Sequence, residues 1–145
     1  MTEKIRTSLV VRRAGLQDLD FLFRLRNEPR VREASWNTML VPLEDHTRWL
    51  AASLKNALRI LYVVADDSGA VGQVRFDLSS DKQSAEVSIS LIEQTRGRGY
   101  GAKGLISARE TLAAEVPGIR TIYAHIKPGN EGSVRAFAAA GYQKT

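Results

Sequence analysis

The chain has no cysteine. Disulfides, a thiolate nucleophile and cysteine-ligated zinc are therefore excluded. Histidine is nearly as scarce. His46 and His125 each lack a second ligand at motif spacing, so no metal site is expected. No apolar stretch is long enough to span a bilayer, and Met1-Thr2-Glu3-Lys4 carries no signal-peptide pattern. The expected location is the cytoplasm. Linkers, repeats and low-complexity blocks are also missing, so the 145 residues read as one domain, 1–145. Acidic residues are outnumbered, 16 against 21 Lys and Arg, leaving a formal charge of +5. That excess allows nucleic acid and fits an anionic cofactor or sugar nucleotide equally well, but the basic residues are dispersed and aromatics do not interleave them, which argues against nucleic acid.

What the chain does have is a glycine-rich loop, Arg96-Gly97-Arg98-Gly99-Tyr100-Gly101. It follows an alternating strand pattern at 85–92 and opens a helical pattern at 102–115. Glycines at alternate positions remove Cβ atoms that would block a ligand from the backbone. Successive N–H groups at a helix N-terminus then suit a phosphate or pyrophosphate. Gly99-Tyr100-Gly101-Ala102-Lys103-Gly104 also matches the dinucleotide pattern G-x-G-x-x-G. That reading fails at the next strand, 121–127, which ends in Lys127 and offers no acid for a ribose. A triphosphate-binding G-x-x-x-x-G-K-[ST] motif is absent.

Further strands are predicted at 9–12, 60–65 and 71–78, and helices at 16–28 and from Pro42. Pro29 discourages continuation of the first helix, and 30–41 reads as irregular. In the second helix Trp49, Leu50 and Leu54 share a side. The order is strand, two helices, a three-strand meander, helix, strand, helix, an α/β (α+β) arrangement.

Arg96-x-x-Gly99-x-Gly101 fits the signature [Gln/Arg]-x-x-Gly-x-[Gly/Ala], and Asn130-x-x-Ser133-x-x-x-Phe137-x-x-x-Gly141-Tyr142 follows at the expected distance. On these two elements the chain resembles the GNAT superfamily of acetyl-CoA-dependent N-acetyltransferases. The resemblance implies a mixed, mostly antiparallel sheet flanked by helices and splayed between its fourth and fifth strands. Acetyl-CoA would sit in that opening as co-substrate, without a metal. The cofactor residues it implies are Leu91, Ile92, Arg96, Gly97, Arg98, Gly99, Tyr100, Gly101, Ala102, Asn130, Ser133 and Phe137. Leu91 and Ile92 would pair the pantetheine as a strand would. Asn130 and Ser133 also suit capping of the last helix.

Acyl transfer to an amine needs a base for the ammonium and an acid for the leaving thiolate. Strand alternation puts Glu86, Tyr123 and His125 on the side away from the apolar faces. Glu86 matches the strand-four glutamate that some family members use as base, and His125 lies five residues before Asn130, where others place a catalytic glutamate. The usual acid position holds Phe137, which cannot donate a proton. Tyr142 or water would substitute, or the thiolate would leave unassisted.

Arg26, Arg32, Trp36, His46 and Trp49 resemble a pattern of amino-sugar acetyltransferases, including those acting on nucleotide-linked sugars. The substrate residues implied are Arg26, Trp36 and His46, with arginine for phosphate and an aromatic face for a base or sugar. The competing acceptor class is a protein N-terminus, as in the ribosomal-protein-type branch. A non-catalytic acyl-CoA-binding module is the alternative to an enzyme. The chain stops four residues after Gly141, enough for a stub of one strand where the family usually has two more. The shortened sheet end would leave an edge for a second copy, a homodimer.

Overall fold

The computed structural model describes residues 8–145. Residues 1–4, which carry no signal pattern, and the first part of the domain read as 1–145 lie outside the described residues.

Five strands form one sheet in the order β1-β2-β3-β4-β5. They are β1 Val10–Arg13, β2 Arg59–Asp66, β3 Gly69–Leu78, β4 Ser84–Leu91 and β5 Thr121–Tyr123. Every pairing is antiparallel except β4 with β5, which is parallel. The helices are α1 Leu19–Asn27, α2 Pro29–Ala34, α3 Leu43–Lys55, α4 Tyr100–Glu115 and α5 Glu131–Ala139.

Two cores lie on opposite faces. Tyr62 and Val64 of β2 join Val74 and Phe76 of β3, Ala85 and Val87 of β4, and Leu105 and Leu112 of α4. Leu61 and Val63, the intervening residues of β2, pack instead with Leu22 of α1 and Leu50 of α3. Period-two alternation explains the division. On β3 and β4 the second face carries Gln73, Arg75, Asp77, Glu86, Ser88 and Ser90, none of them buried. Those polar residues form the floor of an opening beside α1 and α3.

Four expectations change. Residues 30–41 are not all irregular, because Pro29 starts α2 rather than only ending α1. Proline suits a first helical position, and the Glu28 carboxylate caps the turn by accepting from Arg30 N at 3.4 Å. The buried side of α3 is His46, Leu50 and Ser53, whereas Leu54, on the flank of that stripe in the last turn, is exposed. α4 begins at Tyr100. β5 has three residues instead of seven because it leaves β4 after Glu86↔Tyr123, while β4 runs on to Leu91. That divergence is the expected splay. Residues 141–145 form no strand.

Candidate active site

The loop after β4 folds by two glycines in the left-handed region, Gly97 at φ 77° and Gly99 at φ 78°. A Cβ at either would meet nothing within 4 Å, so their reason is backbone conformation. Gly101 differs: a Cβ there would stand 2.9 Å from the Ala136 Cβ, so this glycine serves the close approach of α4 to α5. Gly99 occupies the N-cap of α4, and no side chain caps that end. The first-turn N–H groups, Tyr100, Gly101 and Ala102 among them, therefore remain available to an anion, which the helix dipole favours. This loop fits a pyrophosphate.

Several loop side chains are already engaged. Arg96 donates through both Nη atoms to the Glu28 carboxylate and through Nη2 to Leu91 O at 3.0 Å. It ties the loop to the cap of α2 instead of reaching for phosphate. Tyr100 is buried and donates its hydroxyl to Asp66 at 2.9 Å, with Arg98 over its ring. Ile92 N–H is bonded to Val71 O at 2.9 Å, and its carbonyl accepts from Thr95. Ile92 thus faces β3 and leaves nothing for pantetheine. By antiparallel alternation the backbone of Leu91 points to the side that β5 has vacated, though its carbonyl is held by Arg96. Asn130 caps α5, its Oδ1 accepting from Ser133 N at 3.2 Å, so the capping reading holds.

Glu86 and His125 meet where β4 and β5 part. Glu86 is the last residue of β4 paired with β5, and its Oε2 lies 2.9 Å from His125 Nδ1. An ionised carboxylate can only accept, so beside it Nδ1 carries a hydrogen, and in the neutral ring Nε2 is the nitrogen with the lone pair. Tyr123 packs edge-on against the imidazole at 5.6 Å.

The polar floor opens into a cavity of about 680 Å³ lined by α1, α2, α3, β3 and β4. Arg26, Trp36, His46, Trp49, Glu86 and His125 all line it. Both histidines and both tryptophans of the chain thus reach one space. Asn27 shapes the wall by bonding both backbone groups of Val41, at 2.7 and 2.9 Å. At its other end α2 is held by Lys127 Nζ, which donates to Glu33 O and Ser35 O at 2.8 and 3.0 Å. Arg32 is occupied by the carbonyls of Asn27 and Thr38.

Tyr142 and Phe137 are not brought to this cavity. They pack edge-to-face at 4.9 Å in the α4–α5 core, with Arg109 over the Tyr142 ring. The Tyr142 hydroxyl is buried without a partner, and burial raises its pKa. An acid role for Tyr142 finds no open path here. Arg75 and Asp77 were missed from the sequence, although the alternation of residues 73–78 puts them on the same face of β3 as Gln73. Among the described residues no three metal-ligating side chains gather, and no helix is long and apolar enough to cross a membrane.

Residues 8–143 match the family model of the acetyltransferase (GNAT) domain. The chain belongs to the GNAT acetyltransferase family. No curated protein matches the sequence significantly. Solved GNAT relatives share the fold. An aminoglycoside acetyltransferase in complex with coenzyme A is 18% identical, with TM-score 0.82 over 95% of this chain and 86% of that one. Spermidine N-acetyltransferase from Vibrio cholerae with CoA and spermine is 19% identical, with TM-score 0.80 over 92% and 79%. A putative phosphinothricin N-acetyltransferase is 28% identical, with TM-score 0.74 over 90% and 81%.

Proposed function

We propose that this GNAT protein is a cytoplasmic, single-domain N-acetyltransferase that uses acetyl-CoA to acetylate a primary amine on a small molecule. The carrying observation is the Glu86–His125 contact at the strand fork, open to a cavity of small-molecule size. Acetyl-CoA supplies the activated acetyl group. The first-turn N–H groups of α4 would hold its pyrophosphate, and Leu91 N–H, Asn130 and Ser133 would line its arm. Glu86 holds the imidazole in the tautomer whose Nε2 accepts a proton. His125 Nε2 then takes the ammonium proton, and exposure of the ring lets that proton pass on to solvent. Phe137 cannot donate a proton, so the leaving thiolate would take one from water or depart unassisted.

Two relatives with this fold are named for small amine acceptors, which supports a small acceptor here. Amino sugars, implied by the segment of Arg26, Trp36 and His46, head the panel of acceptors. Peptides with free N-termini are the competing class. A homodimer is the proposed assembly, and sedimentation velocity reads whether it forms.

The test measures thiol release with amino sugars, amino acids, polyamines and peptides. Glu86→Gln and His125→Ala should each lower kcat by about a hundredfold with CoA affinity retained. Wild-type pH dependence in both variants would dismiss the dyad. Binding of CoA without turnover on any amine would leave a cofactor-binding module.

A further inference from the structure

Three side chains that line the acceptor cavity each hold a buried nitrogen without a hydrogen-bond partner. The nitrogens are Arg26 Nη1 on α1, His46 Nε2 on α3 and Arg75 Nε on β3. His46 is only 3% exposed, its ring set between Phe23 and Trp49 at 5.8 and 5.3 Å. Buried polar groups are nearly always satisfied in folded proteins. The two guanidinium nitrogens can only donate, so orphans from separate elements around one space call for an occupant that brings acceptor atoms.

The charges around the cavity specify more than lone pairs. Each carboxylate lining it already has a counterpart. Asp45 is paired with Arg48 at 2.7 Å, Asp77 with Arg59 at 2.7 Å, and Glu86 with His125 at 2.9 Å. Arg75 Nε stands 3.2 Å from the other Asp77 oxygen, within ion-pair range but misaligned for a hydrogen bond. Arg26 has no carboxylate partner among the described residues; its Nη2 donates only to Asn37 O at 2.8 Å. Burial and the nearby charges of Arg75 and Arg32 hold the Arg26 pKa below the ordinary arginine value. Like charges are thus crowded at one end of the cavity, an arrangement an anion relieves. A water molecule would satisfy a donor there and leave that charge unanswered.

We infer that the acceptor amine carries an anionic group, a carboxylate or a phosphate, which docks between Arg26 and Arg75 with His46 Nε2 as a further contact while the amine faces the Glu86–His125 pair. The inference rests on the proposed acetyl transfer for its placement of the amine, and on the three orphaned nitrogens for the anion. Guanidinium groups suit both anions because two parallel N–H donors match two oxygens. Selection follows from the same contacts, since an acceptor without the anion leaves the guanidinium donors buried and unpaired.

Two readouts test it, one independent of turnover. The first compares kcat/KM for matched amines: glucosamine 6-phosphate against glucosamine, and methionine against methioninamide. At least a tenfold preference is expected for one anionic member, and which pair shows it separates phosphate from carboxylate. Arg26→Met or Arg75→Met should bring the ratio near one, chiefly through KM. Arg135→Met, an exposed change on α5, should leave it unaltered. The second readout is tryptophan emission at saturating CoA, because Trp36 and Trp49 both line the cavity and are the only tryptophans. The preferred anionic amine should give a saturable change in the wild type that Arg26→Met and Arg75→Met lose. Turnover without anion preference, or an emission response that survives both substitutions, overturns the inference and leaves the proposed activity standing. Saturable anion-dependent emission without turnover on any amine overturns the activity and supports the anion site. Absence of both refutes both.

Discussion

Replacing Gly101 with alanine puts a methyl group 2.9 Å from the Ala136 Cβ. Non-bonded carbons rest at about 3.5–4.0 Å, so α4 and α5 must separate by roughly half an ångström or more. Overpacking of this kind costs about 1–3 kcal/mol. The gain in helix propensity, about 1 kcal/mol in a helix interior, is smaller at this position in the first turn. The net loss should be about 1–2 kcal/mol, or about 3–8 °C in Tm for a domain of this size. Ala136→Gly removes the atom that is struck and by itself costs about 1 kcal/mol of propensity. The double variant should therefore be more stable than the sum of the single losses by about 1–2 kcal/mol. Urea denaturation of the four proteins measures this, provided their slopes agree. Calorimetry gives a second reading: Gly101→Ala should weaken CoA by displacing the first turn of α4, and Ala136→Gly should restore it. Additivity within about 0.5 kcal/mol would refute the packing explanation of Gly101. A CoA defect that Ala136→Gly does not repair would return this glycine to the ligand contact implied by its motif.

Gly99 should behave differently. Its φ of 78° makes Gly99→Ala cost about 1–2 kcal/mol, with Gly99→Asn milder, and equal losses in thermal melts would contradict the left-handed explanation. Glu28→Gln and Arg96→Met should each cost about 1–2 kcal/mol, less than a fully buried pair because both side chains are 22% exposed, and the double variant should lose little more than either one; fully additive losses would show that the two groups act apart. His46 supplies a pH dependence. Burial, then the charge of Arg26, hold its pKa below 6.5, so its neutral form is favoured by folding. That contribution is complete above about 6.5 and is lost as pH falls through the folded value. The depressed carboxylates Asp18, Asp66 and Asp81 begin to lose theirs only near their reference value of 3.8. Urea midpoints should thus fall between about pH 6.5 and 4.5 in the wild type, and His46→Gln should flatten that slope; an unchanged slope would remove His46 as its source.

Much of this protein could be read locally. The alternation of residues 71–78 and 85–92 and the spacing of residues 102–115 reflect the two- and 3.6-residue periods of backbone geometry, so strands and helices follow from neighbouring residues. The Arg96–Gly101 loop was legible because left-handed turns need glycine at particular places, and the Asn130 cap because its side chain reaches only three residues along. The polarity of Glu86 and His125 likewise marked one side of a strand. Their contact was not readable, since it depends on β5 turning away from β4 after a three-residue pairing. Nor did the motif disclose that Arg96 is committed to Glu28, 68 positions earlier, or that Gly101 answers to Ala136 on another helix. The convergence of Arg26, His46 and Arg75 belongs to the same class, because α1, α3 and β3 each obey their own period and only their packing brings these three side chains to one cavity. Sequence alone determined which residues turn, cap and alternate, as these are short-range consequences of backbone sterics. Tertiary structure alone decided which distant polar groups share one cavity, and with it whether each is a partner, a wall or an unsatisfied group.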